Sequence, residues 1–339
     1  MSLFRIATTA LLVVSFSSAI SSRVVSAERE SDIVPESAKL ETLWDDGGFT
    51  EGAASGPDGC IYFSDFAQPF ESGPARVMKF DPGTGRVTVH CPDSGMGNGL
   101  MFTRDGRLIG CCASPLGGHR ALVEFLPNGK VKPLISKFRG KRFNSPNDLV
   151  IDRQGRIYFT DPKYVGPEKL ELESFDVYRF DPDKTIQVAT AQITKPNGIA
   201  LAPDGKTLYV AETDNGSATA DLDKTPAKKG RMTLNAFPVN PDGSLGDKRV
   251  IFDFKDQTGI DGMTLDIQGH IYAAVRSADG FGIVVFSAPG DRLAHIPTPE
   301  LPTNCVFGRG SNSKTLYITA GGGLYRIPLT IDGHHPALR

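Results

Sequence analysis

Residues 144–161 read Asn144-Ser-Pro-Asn-Asp-Leu-Val-Ile-Asp-Arg-Gln-Gly-Arg-Ile-Tyr-Phe-Thr-Asp161. Within this stretch Asn147 stands eight positions before a turn glycine, Gly155, and the apolar pair Ile157-Tyr158 follows. The same spacing recurs from Glu51 to Gly59 (then Ile61-Tyr62) and from Asn98 to Gly106 (then Leu108-Ile109). It returns from Asn197 to Gly205 (Leu208-Tyr209) and from Asp261 to Gly269 (Ile271-Tyr272). A weaker sixth copy runs from Asn304 to Asn312, with Leu316-Tyr317 behind it. Successive anchors lie 47, 49, 50, 64 and 43 residues apart, which is the period of a repeat architecture.

Each copy reads as a strand, a tight turn and a second strand, because the residues after the turn are β-branched or aromatic. Further apolar segments complete the units: Arg76–Phe80 with Arg86–His90, Ala121–Phe125 with Lys130–Ile135, Met232–Phe237 with Arg249–Phe252, and Gly282–Phe286 with Asp291–Ile296. Four strands per unit and six units predict an all-β chain folded as a six-bladed β-propeller. One strand, Leu40–Trp44, is spare at the start, and the last unit runs out of apolar sequence near Leu329. Pairing the first onto the last would close the ring and cover a sheet edge.

The domain reading follows. Residues 1–27 have the form of an export signal: Arg5, the apolar run Ala10–Phe16, and the small-residue site Val25-Ser26-Ala27. The run is too short to span a bilayer, so no membrane span is expected and the mature chain is periplasmic or secreted. Residues 28–38 form an extended lead-in, 39–330 the propeller, and 331–339 a polar tail in which His334 and His335 sit at the surface. Cleavage leaves 35 basic against 39 acidic side chains, a net charge of −4, with no basic stripe for nucleic acid. The partner is therefore expected to be a small molecule. Cys60, Cys91, Cys111, Cys112 and Cys305 are an odd set whose pairing spacing cannot give; buried thiols fit their places on inner strands.

If every blade begins with its inner strand at one face of the ring, all six anchors lie at that face. The ends of the second strands return there, bringing Asp65, His119-Arg120, Lys163-Tyr164, Asp214 and Arg276 to the same mouth. Two insertions, Tyr164–Phe175 and Thr213–Arg231, emerge beside them.

Asn and Asp at strand starts can simply satisfy backbone groups, and this accounts for Asn98 and Asn304. It accounts less well for Glu51 and Asp261, two acids that would repel each other in a narrow channel unless a cation lay between them. Two acids with the amides of Asn147 and Asn197 match a hard divalent cation, Ca²⁺ or Mg²⁺, in charge and ligand type. No His-x-His or Glu-x-x-His spacing supports zinc. No Gly-x-Ser-x-Gly elbow supports a covalent serine route.

Thr50-Glu51-Gly52, Ser145-Pro-Asn147-Asp148, Lys195-Pro-Asn197-Gly198-Ile199-Ala200 and Ile260-Asp261-Gly262-Met263 together resemble the motifs of the gluconolactonase / senescence-marker-protein / luciferin-regenerating-enzyme family, over the chain from about Leu40 to Leu329. The resemblance implies one catalytic divalent metal in the channel, commonly calcium, held by Glu51, Asn147, Asn197 and Asp261. It also implies Asp261 as general base and hydrolysis of a sugar lactone or related ester by water attack at a carbonyl polarised by the metal. A phosphotriesterase-like or aryl-ester hydrolase on the same metal, and a non-catalytic sugar- or protein-binding propeller with a structural calcium, remain alternatives. The animal branch carries an arginine where this chain has Ser145. Bacterial members often have a His and an Arg after the second strand of blade two, which His119-Arg120 resembles. His119, Arg120, Asn147, Tyr164 and Arg276 are the expected substrate contacts.

Overall fold

The Gly155 turn shows why the motif repeats. Gly155 adopts φ +79°, a conformation that side-chain-bearing residues rarely take, and it joins Leu149–Ile151 to Ile157–Thr160 in register, Leu149 opposite Phe159. Asp152 closes the turn by accepting from the backbone N–H groups of Gln154 and Arg156, both at 2.9 Å. In the computed structural model, which describes residue 30 and residues 32–67, 73–216, 230–278 and 280–338, this hairpin is the inner half of a blade.

The described residues form six four-stranded antiparallel sheets, each in simple meander order except the last. Their inner strands are Phe49–Ser55, Gly97–Phe102, Leu149–Ile151, Pro196–Leu201, Ile260–Leu265 and Pro302–Phe307. The outer strands fall within a residue or two of the expected segments, for example Val131–Ile135 and Arg292–Pro297. In the last blade the fourth strand is Glu41–Trp44, paired antiparallel to Gly323–Pro328 with Glu41 opposite Arg326 and Trp44 opposite Leu324. The Arg326 guanidinium donates to both Glu41 carboxylate oxygens, at 2.8 and 3.1 Å. The chain is thus an all-β six-bladed propeller whose ring is closed by its own beginning.

Both faces of the inner strands are apolar because each blade stacks on two neighbours. One hydrophobic cluster fills each junction. Ile61, Phe63, Tyr317 and Leu324 join blades six and one, and Val150, Tyr158, Ile199 and Val210 join three and four. Tyr158, fully buried, donates its hydroxyl to Gly243 O at 2.8 Å, so even this polar atom is satisfied. All five cysteines are buried free thiols, as expected.

Two expectations at the chain ends need correction. The lead-in is not simply extended: Ile33 N and Val34 N both donate to Glu30 O, at 3.1 and 2.8 Å, in a turn, and Ile33 is buried in the junction of blades five and six, where it accepts from Thr330 N at 3.1 Å. The tail is bound to the ring and partly buried, with only its last described residue, Leu338, exposed. Gly333 bridges to Asp266, His334 N donates to Leu265 O at 2.9 Å, and Ala337 enters the junction of blades two and three. Backbone pairing carries the segment across the underside of the ring, burying His334 and leaving beneath the channel a void of only about 70 Å³. The expected export signal, residues 1–27, and positions 217–229 of the second insertion lie outside the described residues. Among the described residues no helix is long and apolar enough to cross a membrane.

Candidate active site

The anchors face the channel because their strands are irregular there. Pairing with the second strand slips between Glu51 and Ala53, Gly97 and Leu100, Pro196 and Ile199, Ile260 and Met263, and Pro302 and Asn304. A bulge breaks the in–out alternation of a strand and re-aims a side chain. In blade three the regular strand starts only at Leu149. There Asn147 is held by its backbone, N–H to Thr160 O at 2.9 Å and C=O from Gly99 N at 2.8 Å, which also ties blade three to blade two.

The small residue after most anchors has a physical cause. A Cβ on Gly198 would lie 2.2 Å from Asp261 O, and one on Gly52 would lie 2.0 Å from Asn98 O. Neighbouring inner strands therefore meet backbone to backbone directly beside the anchors. Gly198→Ala is expected to push the Asp261 strand outward and cost about 1–3 kcal/mol, read as a lowered urea midpoint with an unchanged m-value.

Anchors from blades one to five, Glu51, Asn98, Asn147, Asn197 and Asp261, line one cavity of about 760 Å³. Asn304 does not join them; it lines the small lower void together with Asp148. Asp261 Oδ2 accepts from Arg276 Nη1 at 2.5 Å, and Glu51 Oε2 accepts from Gly52 N at 3.0 Å. Burial, and then the charge of Asp261, push the Glu51 carboxyl well above its ordinary value. Burial also raises Asp261, opposed by Arg276 and by a hydrogen bond from Asn197. The Asn197 Oδ1 atom is buried and accepts no hydrogen bond, an arrangement that ordinarily costs stability unless a donor or cation meets it.

Sequence reasoning passed over one acid. Asp148 is buried next to Asn147, accepts from Leu149 N at 2.9 Å and Ile199 N at 3.3 Å, and is pushed up to about 7 by burial. Its signal was present, because it is the acidic residue at a position where four of the other blades carry glycine. Glu51, Asp148 and Asp261 act on one another electrostatically with Arg276 as a countercharge, so the centre of the ring crowds three buried carboxyl groups around one guanidinium. Among the described residues no group of three or more His, Cys, Asp or Glu side chains is arranged to hold a metal. A cation here would depend on the two cavity carboxylates supplemented by amide oxygens, and the unpartnered Asn197 Oδ1 fits that donor set.

The expected substrate contacts divide. Tyr164 and Arg276 line the cavity with Asn147. Tyr164 donates its hydroxyl to Thr213 O at 3.1 Å, and its ring lies under the Lys195 ammonium, 4.6 Å from the centroid. His119 and Arg120 are not among the lining residues. Arg120 takes a positive φ of 52°, which turns its side chain inward, where it is buried and donates from Nε to Phe143 O at 2.6 Å. His119 is exposed, with its ring packed against Gly95. Asp161, fully buried, accepts from Asn144 N at 2.8 Å and Ser145 N at 2.7 Å and so fixes the loop leading into Asn147.

Known proteins resemble this chain in sequence and fold. The family model described as the SMP-30/Gluconolactonase/LRE-like region matches residues 115–322. A gluconolactonase of Zymomonas mobilis is 31% identical over 284 residues, covering 76% of this chain and 74% of that protein. The structure of a gluconolactonase from Xanthomonas campestris superposes with a TM-score of 0.74 at 31% identity, covering 90% of this chain and 93% of that one. A luciferin-regenerating enzyme shares the fold at 17% identity and a TM-score of 0.67, covering 88% and 98% of the two chains. With its repeated anchors, bulged inner strands and matched relatives, this chain belongs to the SMP-30/gluconolactonase/LRE-like family.

Proposed function

We propose that this chain is a lactonase that opens a ring ester of the sugar-lactone type with the help of one divalent cation, calcium, held by Glu51, Asn147, Asn197 and Asp261. The observation that carries the reading is the pair of buried carboxylates lining one cavity with an unpartnered amide oxygen beside them. The relatives named gluconolactonase support the reaction class. When bound, the cation polarises the ring carbonyl and stabilises the negative charge that develops on its oxygen.

The chain's own residues do the rest. Arg276 fixes Asp261 through Oδ2 and so orients the carboxylate that takes a proton from the attacking water. Water adds to the carbonyl carbon as that proton moves to Asp261. The ring C–O bond then breaks, and the proton passes to the departing ring oxygen, giving the open-chain hydroxy acid. The export signal expected at residues 1–27 would put this chemistry outside the cytoplasm.

Acid release from glucono-δ-lactone, followed with a pH indicator, tests the reading. Turnover is expected with calcium and is expected to fall to the uncatalysed rate after chelation. Turnover of an aryl phosphotriester but not of the lactone would identify the phosphotriesterase alternative. Calcium binding without turnover of either would identify a binding module.

A further inference from the structure

The cavity is larger than one sugar ring requires, at about 760 Å³, and its wall is divided. Among the described residues, blades six, one and two contribute Leu301, Phe49, Phe66, Met96, Ala113 and Pro115, most of the cavity's apolar lining. Phe66, Met96 and Ala113 form with Ala75 a small hydrophobic cluster against which Phe49 packs, its ring 6.3 Å from that of Phe66. This cluster is separate from the clusters at the blade junctions and lies at the cavity.

The opposite side, from blades three to five, is more polar, with Asn147, Asn197 and Thr258 in its lining, and several of its other polar groups are already engaged. Ser145 Oγ accepts from Ser114 N at 2.9 Å, Thr213 Oγ1 donates to Ile260 O at 2.5 Å, and Asn215 Oδ1 accepts from Lys195 Nζ at 2.6 Å. The Tyr164 hydroxyl and Arg276 are committed to Thr213 O and Asp261. A site that selects a polyol needs a partner for each hydroxyl, because a hydroxyl set against an apolar wall loses its hydrogen bonds to water without replacement.

Resting on the lactonase reading, we infer that the substrate is amphipathic: a lactone ring that sits over Glu51, Asn197 and Asp261 and carries an alkyl or aryl arm that lies on Phe49, Phe66, Met96 and Leu301. The arm supplies binding energy through desolvation, and the ring is oriented by the polar side.

The test is a chain-length series of δ-lactones, from δ-hexalactone with a methyl arm to δ-decalactone with a pentyl arm, with glucono-δ-lactone as reference, all in calcium. The ring chemistry is constant along the series, so the slope of log kcat/KM against arm length reports the wall. Burying each methylene is expected to raise kcat/KM about fourfold, or about 250-fold across the four methylenes of the series. Phe66→Ser and the partly exposed Leu301→Asn are each expected to flatten the slope, the second serving if the first fails to fold. A flat or falling slope in the wild-type protein with glucono-δ-lactone still turned over would overturn the apolar arm and leave the lactonase reading in place. A rising slope unchanged in Leu301→Asn and in a folded Phe66→Ser would also overturn it, since another surface would be reading the arm. Failure to turn over any lactone would remove both readings together.

Discussion

Asp261→Asn is expected to lower kcat/KM for lactone opening by about 10³-fold while leaving the propeller folded. Asparagine is nearly isosteric and keeps an oxygen for the Arg276 guanidinium, so the geometry at Oδ2 is conserved. What disappears is the ability to accept a proton from water, together with one of the two carboxylate charges facing the cation. Arg276 also acts electrostatically on Glu51, so its charge retains a nearby carboxylate in the variant. Far-ultraviolet circular dichroism would establish that the fold is intact, and initial rates on glucono-δ-lactone would give the loss. A folded variant with wild-type kcat would remove Asp261 from the chemistry.

Calcium itself should stabilise the protein. At a calcium concentration one hundred times its Kd, binding to the folded state alone adds about 2.7 kcal/mol. For a chain of this length that corresponds to a rise in Tm of about 5 °C. The rise should disappear in Glu51→Gln, which keeps the shape of the side chain and loses its charge. Its pH dependence has a definite sign. Burial and the neighbouring Asp261 charge raise Glu51 in the metal-free fold, so protons compete with the cation from an unusually high pH. The stabilisation is complete above that raised value and is lost as pH falls through it. Melting curves with calcium and with chelator, across a pH series, would check both the size and the direction; a constant difference would exclude Glu51 as a ligand.

The fold was legible because one local pattern is repeated six times, and the repetition has a steric origin. The turn glycine supplies a positive φ, and glycine after the anchor allows inner strands to touch, so both survive as sequence marks. The cavity anchors were legible for the same reason. What was hidden depends on side chains that no period constrains. Arg120 belongs to the expected mouth by position, yet its backbone conformation turns it away to Phe143 O. Asp148 sits in the motif but points into the layer below Asn147. The apolar side of the cavity is assembled from single residues on three blades, each unremarkable in its own segment. The tail looked like a polar end because its burial comes from backbone pairing beneath blades five and six, which leaves no apolar periodicity.

The clasp between the first and last strands has a consequence for how the molecule comes into being. Glu41 finds its partner Arg326 at a separation of 285 residues. During synthesis, therefore, the leading strand has nothing native to pair with until Gly323–Pro328 has left the ribosome, and blade six remains an open edge until the two meet. Long-range pairing of this kind is slow, and unpaired strands recruit one another between molecules. Dilution and chaperone holding during that wait, more than any property of the finished ring, would govern the yield of native protein.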